Sequence, residues 1–145
     1  MMGNNPEAEN KRKKRVLFVC THNSSRSQMA EGLLRALRAD RWEAYSAGTA
    51  PTGVHPGAVA AMAEIGIDIR GHRAKGLDAF RDVVFDEVVT VCDHAQETCP
   101  VVPGGGLRRH EGFEDPAAAT GTEADILAAF RRVRDEIRAW ILKTY

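Results

Sequence analysis

The sequence has no long apolar run. Its longest uninterrupted apolar stretch is the six residues 58–63, against the about 20 that a membrane-spanning helix needs, so the chain is not expected to cross a bilayer. The N-terminus carries no apolar run beside its basic cluster and no small-residue cleavage site, so it does not read as a secretory signal, and the expected compartment is the cytoplasm. Net charge is missing too, because 20 basic residues cancel 20 acidic ones. Residues 11–15 are all basic, but beyond residue 15 the chain holds 15 basic and 18 acidic residues. A neutral to slightly acidic body offers no broad field for a phosphate backbone, so nucleic acid is not an expected partner. The basic pentad reads as solvated chain. Internal repeats and low-complexity segments are also absent.

Cysteine is scarce. Only Cys20, Cys92 and Cys99 occur, and an odd number without a secretory signal argues against a disulfide framework and for catalysis or redox chemistry. Cys92 and Cys99 lack the usual zinc spacing and no second cysteine pair follows, so no metal is expected.

What remains is an ordinary globular composition of 145 residues, 43% apolar and 28% charged, enough for one core of common size. Residues 1–15 read as a flexible polar leader and 16–145 as a single domain. Residues 16–20 (Val-Leu-Phe-Val-Cys) form a continuous apolar run suited to a strand buried on both faces. Met29, Leu33 and Leu37 recur at helical spacing and predict a helix over about 26–40. A short strand follows over 43–47, a proline-opened helix over 56–65 stopped by Gly66, and a brief extended piece over 67–69. One or two helical turns are expected over 77–83. Residues 88–92 repeat the composition of the first strand, again with cysteine last, 93–103 have mixed polar character, and 107–110 suit an edge strand. Ile126, Phe130, Val133, Ile137, Trp140 and Ile141 mark a final helix from about Glu123, with Thr122 as N-cap. Alternating strands and helices predict an α/β fold, a three-layer sandwich with a central, mainly parallel four-stranded sheet flanked by helices.

In such folds ligands gather at the carboxyl ends of strands, where the segment from Cys20 to Arg26 leaves a strand and enters a helix. Its backbone N–H groups, the helix N-terminus and the Arg26 fork together suit a tetrahedral oxyanion. Thr21, His22, Asn23, Ser24, Ser25, Arg26 and Ser27 are the expected anion-binding residues. Asn23 suits a left-handed turn, and Ser27 can donate a further hydrogen bond. Thiols at helix N-termini beside arginine are the reactive class of cysteine, which makes Cys20 the expected nucleophile. His22 is expected to face solvent.

The segment Cys-Thr-His-Asn-Ser-Ser-Arg-Ser-Gln-Met-Ala-Glu-Gly over residues 20–32 resembles the signature of low-molecular-weight tyrosine phosphatases and their arsenate-reducing relatives. Val-Val-Thr-Val-Cys with Cys-Pro seven residues on, Gly-Phe-Glu-Asp-Pro at 112–116, and Phe-Arg-Arg-Val-Arg-Asp-Glu-Ile near the end are similar to thioredoxin-coupled arsenate reductases in particular. The resemblance covers about residues 15–142. It implies an enzyme without a bound cofactor that reduces arsenate to arsenite. Cys20 would attack the oxyanion held by Arg26 and the loop, with Asp115 as general acid. Cys92 would resolve the arsenic adduct and Cys99 would then attack Cys92, leaving a redox-active Cys92–Cys99 disulfide for thioredoxin to reduce. A monomer is expected, and the segment 93–106 is expected to move. His94 reads as an exposed polar residue that can also assist Cys92.

Residue geometry bears on the cysteines separately. If the two cysteine-ended strands are neighbours, they lie about 4.8 Å apart, so both sulfurs can reach one ligand or each other. Seven residues of intact helix separate two positions by about 10.5 Å, too far for a disulfide, so a Cys92–Cys99 bond requires rearrangement.

The sequence also departs from the pattern it resembles. Many thioredoxin-coupled members hold potassium near the loop, using a hydroxyl and a carboxylate where this chain has Arg73 and Lys75, although Asn23, Glu31 and Ser46 still match. The Lys75 ammonium is therefore expected to stand in for the ion. Ala117 replaces the tyrosine of phosphotyrosine enzymes. Two other functions fit the residues: a small phosphatase acting on phosphomonoesters through Cys20, Arg26 and Asp115, and a non-catalytic redox or oxyanion sensor. A glutaredoxin or a low-molecular-weight thiol is an alternative reductant to thioredoxin.

Overall fold

Val16, Leu17, Phe18 and Val19 are all fully buried, which an extended segment achieves only inside a sheet covered on both faces. The computed structural model describes residues 13–99 and 105–145. Its elements run β1 (Lys14–Cys20), α1 (Arg26–Leu37), β2 (Trp42–Gly48), α2 (Pro56–Ala63), a 3-10 turn (Leu77–Phe80), β3 (Phe85–Thr90), α3 (Asp93–Thr98), β4 (Gly105–His110), a second 3-10 turn (Pro116–Ala118) and α4 (Glu123–Thr144). The sheet order is β2-β1-β3-β4, with every neighbouring pair parallel. This is the α/β sandwich that the alternation of patterns predicts.

The pleat sends successive side chains to opposite faces. Leu17 pairs with Tyr45 and Phe18 with Ser46 across β1 and β2, so Phe18 and Tyr45 point opposite ways. Phe18 meets Trp140 of α4 edge-on at 6.0 Å, and Tyr45 meets Phe80 of the first 3-10 turn at 5.5 Å. Helix α4 carries its apolar stripe inward through Phe130, Val133, Ile137 and Ile141, all fully buried. Thr122 opens α4 with a reciprocal capping box to Asp125, which holds the Asp125 carboxyl below its usual range. The exposed Glu64 carboxylate ties the end of α2 to α4 through Arg131 and Arg134, and the Arg131 hydrogen bond above all lowers its pKa to about 2.

Some expected boundaries shift. β1 begins two residues before Val16, and the leader through residue 12 lies outside the described residues. α1 stops at Leu37, three residues short, and α2 at Ala63. Gly66 does mark the stop, with φ +79, and 67–69 pairs with no strand among the described residues. The strand expected over 88–92 is β3, which ends at Thr90. Cys92 is instead the N-cap of α3, its sulfur accepting the Ala95 N–H at 3.4 Å. Residues 93–98, read only as mixed polar in character, form that helix. Ala95 is its one described buried side chain, so no apolar period was there to read. The remainder of the expected moving segment, 100–104, lies outside the described residues.

Gly57 and Phe130 are packed too closely for any added side chain. A Cβ at Gly57 would stand 2.6 Å from the Phe130 ring, and that ring is fully buried. Gly57→Ala is expected to destabilise the fold by about 1–3 kcal/mol through overpacking, read as a fall of several degrees in Tm. An unchanged or raised Tm would show that the ring yields freely.

Candidate functional site

The site lies where β1 runs out. Residues 21–25 leave Cys20 and enter α1 at Arg26, and the chain after β2 runs alongside them. Thr49, Ala50, Thr52 and His55 donate their N–H groups to the carbonyls of Cys20, Thr21, His22 and Ser24 at 2.8–3.2 Å. A trans peptide points its N–H opposite to its carbonyl, so this pairing leaves the loop's own donors on the other side. Gly48 permits the approach, because a Cβ there would meet the Thr21 carbonyl at 2.6 Å.

Asn23 sets the turn. It is fully buried and sits at φ +49, the left-handed region that asparagine tolerates. Its Nδ2 donates to Ser27 Oγ at 2.8 Å, and its Oδ1 accepts from Gln28 Nε2 at 2.9 Å and from Lys75 N at 2.8 Å. Because Ser27 Oγ accepts the Asn23 amide, its own proton is available to Cys20 Sγ, 2.8 Å away. Gln28 also donates to the Arg73 carbonyl at 2.9 Å. Gln28 therefore ties the loop to the 73–75 segment, a positioning role that the sequence alone does not reveal.

A cavity of about 60 Å³ opens here, lined by Cys20, His22, Ser24, Ser25, Arg26, Thr52, Asp115 and Ala117. It holds roughly two waters' share of volume, a size suited to one tetrahedral oxyanion. The buried Ser25 hydroxyl is without a hydrogen-bond partner, a donor left over for such a ligand. Arg26 is steadied by the Phe113 carbonyl at 3.1 Å and stands 3.7 Å from Asp115 Oδ2. The other oxygen of Asp115 accepts the Ala117 N–H at 3.0 Å, so one carboxylate both caps the second 3-10 turn and faces the arginine. His22 is exposed, but its ring reaches the Ala50 carbonyl at 3.2 Å and forms part of the rim. Thr52, also on the rim, carries no sequence signal.

Because β1 and β3 are neighbours, Cys92 lies beside the loop. Its sulfur is 3.4 Å from Thr21 Oγ1, on the residue adjoining Cys20. Cys99 is the C-cap of α3, so the two cysteines bracket one intact helix. All three cysteines are buried and none is in a disulfide. Burial pushes the Cys99 thiol up, and Arg108 works against that. His94 lies exposed on α3.

The potassium suggested by resemblance does not fit these residues. Glu31 already receives Ser46 Oγ at 2.6 Å and Arg35 at 3.0 Å. The Lys75 ammonium stands 3.9 Å from it and donates to the Arg73 carbonyl at 2.9 Å. A cation is thus built into the chain at this point. Burial lowers the Lys75 pKa while Glu31 opposes the shift. His72 behaves alike, lowered first by burial and supported by Glu31. Among the described residues no group of three or more His, Cys, Asp or Glu side chains can hold a metal ion, and no helix is long and apolar enough to cross a membrane.

A family model described as low molecular weight phosphotyrosine protein phosphatase matches residues 15–143. The chain belongs to that family. Within the family it is similar to proteins named for a different reaction. An arsenate reductase of Halalkalibacterium halodurans is 50% identical over 125 residues, spanning 86% of this chain and 90% of that protein. A solved arsenate reductase in the phosphate binding state superposes with TM-score 0.76 at 34% identity, covering 90% of this chain and 95% of the other. An arsenate reductase in oxidized state gives TM-score 0.76 at 33% identity over the same shares. The parallel sheet flanked by helices is therefore the fold of the family.

An ion that binds only the folded state raises Tm. With Lys75 in place, Tm is expected to be the same in sodium and in potassium chloride at equal ionic strength. A rise specific to potassium would show that the ion binds despite the ammonium.

Proposed function

We propose that the protein is an arsenate reductase working through a three-cysteine relay regenerated by thioredoxin. What carries the reading is the placement of three buried cysteines outside any disulfide: one in the oxyanion cradle, one just beyond the neighbouring strand against Thr21, and one closing the helix that the second begins. The names of the relatives support the substrate. The small rim, with Thr52 and Ala117 where an aryl group would need a stacking partner, suits a free oxyanion.

In this reading Cys20 attacks arsenate held by Arg26 and the loop, and Asp115 gives a proton to the departing oxygen, which leaves as water. Cys92 then attacks the Cys20 sulfur. The sulfur–arsenic bond breaks with its electron pair on arsenic, so arsenite leaves and a Cys20–Cys92 disulfide remains. Cys99 attacks Cys92, the electron pair returns to the Cys20 sulfur, and the Cys92–Cys99 disulfide passes to a dithiol of thioredoxin. Helix α3 must open for this last bond, since its intact length holds the two cysteines apart.

Phosphomonoester hydrolysis needs only Cys20, Arg26 and Asp115, and the family match gives that second reading its weight. One assay separates the two, following NADPH consumption with thioredoxin, its reductase and arsenate. Cys20→Ser, Cys92→Ser and Cys99→Ser are each expected to abolish sustained turnover, whereas aryl phosphate hydrolysis is lost only with Cys20→Ser. Parental turnover in Cys92→Ser or Cys99→Ser would end the relay reading. A disulfide formed without sustained turnover in the parent would indicate a sensor. Asp115→Asn is expected to lower kcat by roughly 100-fold or more, the usual worth of a general acid.

A further inference from the structure

Edge strand β4 sends its basic side chains to different places. Arg109 pairs with Glu87 at 3.0 Å, and His110 pairs with Asp93 of α3 at 2.9 Å. Arg108 turns onto Cys99. Its Nη2 donates to the Cys99 carbonyl at 3.0 Å, and the guanidinium charge works against the rise that burial gives the Cys99 thiol. The Cys99 N–H is committed to the Ala95 carbonyl at 2.8 Å, and Arg108 takes up the carbonyl of this residue, which is only 7% exposed.

We propose that Arg108 is a further catalytic residue, the group that activates Cys99 as the attacking thiol of the relay's last internal exchange. The proposal rests on the three-cysteine reading given above. The thiolate is the nucleophile, not the thiol. Burial disfavours the charged sulfur, and the Arg108 charge works against that. Arginine keeps its proton at any working pH, so its part is electrostatic, and the Cys99 proton goes to solvent water. The Cys99 sulfur then attacks Cys92, the Cys92–Cys99 bond forms, the Cys20–Cys92 bond breaks, and the electron pair leaves on the Cys20 sulfur, which faces Ser27 Oγ at 2.8 Å. Nothing is oxidised or reduced overall. The carbonyl contact makes the arrangement more than a nearby charge, because it anchors the fork at the C-cap of α3, on the residue that carries the sulfur.

The test is a single turnover with arsenate and no thioredoxin, acid-quenched and read by mass spectrometry, for the parent, Arg108→Gln and Arg108→Lys. The parent is expected to reach the Cys92–Cys99 disulfide. Arg108→Gln is expected to accumulate Cys20–Cys92 and convert about tenfold more slowly, the change in thiolate that one pKa unit produces. Arg108→Lys keeps the charge and should recover most of the rate. Conversion at the parental rate in Arg108→Gln would overturn the proposal. A second measurement uses chains carrying Cys20→Ser and Cys92→Ser, in which iodoacetamide reports on Cys99 alone. There Arg108→Gln should slow alkylation about tenfold and Arg108→Lys should restore it, while an unchanged rate counts against activation by Arg108. Should the parent form no Cys92–Cys99 bond while alkylation still depends on Arg108, the relay reading fails and the Arg108–Cys99 coupling stands.

Discussion

The left-handed turn at Asn23 is the constraint on which the site depends. One buried side chain there holds Ser27 through its nitrogen, and Gln28 and the backbone of Lys75 through its oxygen. The first bond orients the hydroxyl that faces Cys20, and the others fasten the loop to a segment some fifty residues further on. An aspartate in the same place would have no N–H for Ser27 and would bring a negative charge into a cradle meant for an anion. The turn also fixes which way the loop's peptides point, and residues 49–55 complete that work by taking the carbonyls. Anion recognition is thus a property of backbone orientation, enforced from outside the loop by a buried amide and the chain following β2.

The parallel sheet supplies the second constraint. The order β2-β1-β3-β4 places the ends of β1 and β3 side by side at its centre, and this brings Cys92 within reach of Thr21. Neither cysteine's partner is near it in sequence. The proposed chemistry depends on two largely apolar runs, 16–20 and 88–92, each greasy enough to seek the middle of a sheet.

This explains which parts of the molecule were legible in advance. Cys20, Arg26 and the helix they precede form one local unit, so spacing and composition were enough. The final helix announced itself by its stripe and its Thr122 cap. Helix α3 did not, because its only described buried side chain is Ala95 and its cap is a cysteine sulfur, which no propensity rule anticipates. Gln28, Thr52 and the Phe113 carbonyl were invisible for another reason: each acts through a contact set by tertiary packing, and a backbone carbonyl carries no sequence identity. Lys75 was legible only as a mismatch to a pattern, and the geometry turned that mismatch into a built-in cation beside Glu31.

The brevity of α3 bears directly on the proposed relay. Isolated helices shorter than about 12–15 residues are marginal in water, and α3 has six residues. Beside the buried Ala95, contacts at its ends help to hold it, among them the Cys92 sulfur on Ala95 N, Asp93 on His110, and Arg108 on the Cys99 carbonyl. Once Cys92 enters a bond with Cys20, its sulfur no longer has the same freedom to cap the helix, and one of the three contacts weakens as a consequence of the chemistry itself. A helix so short and so dependent on its ends opens at little cost after that loss. In the proposed relay, the resolving thiol would then need no separate trigger, because forming the first disulfide would loosen the element that keeps the second from forming.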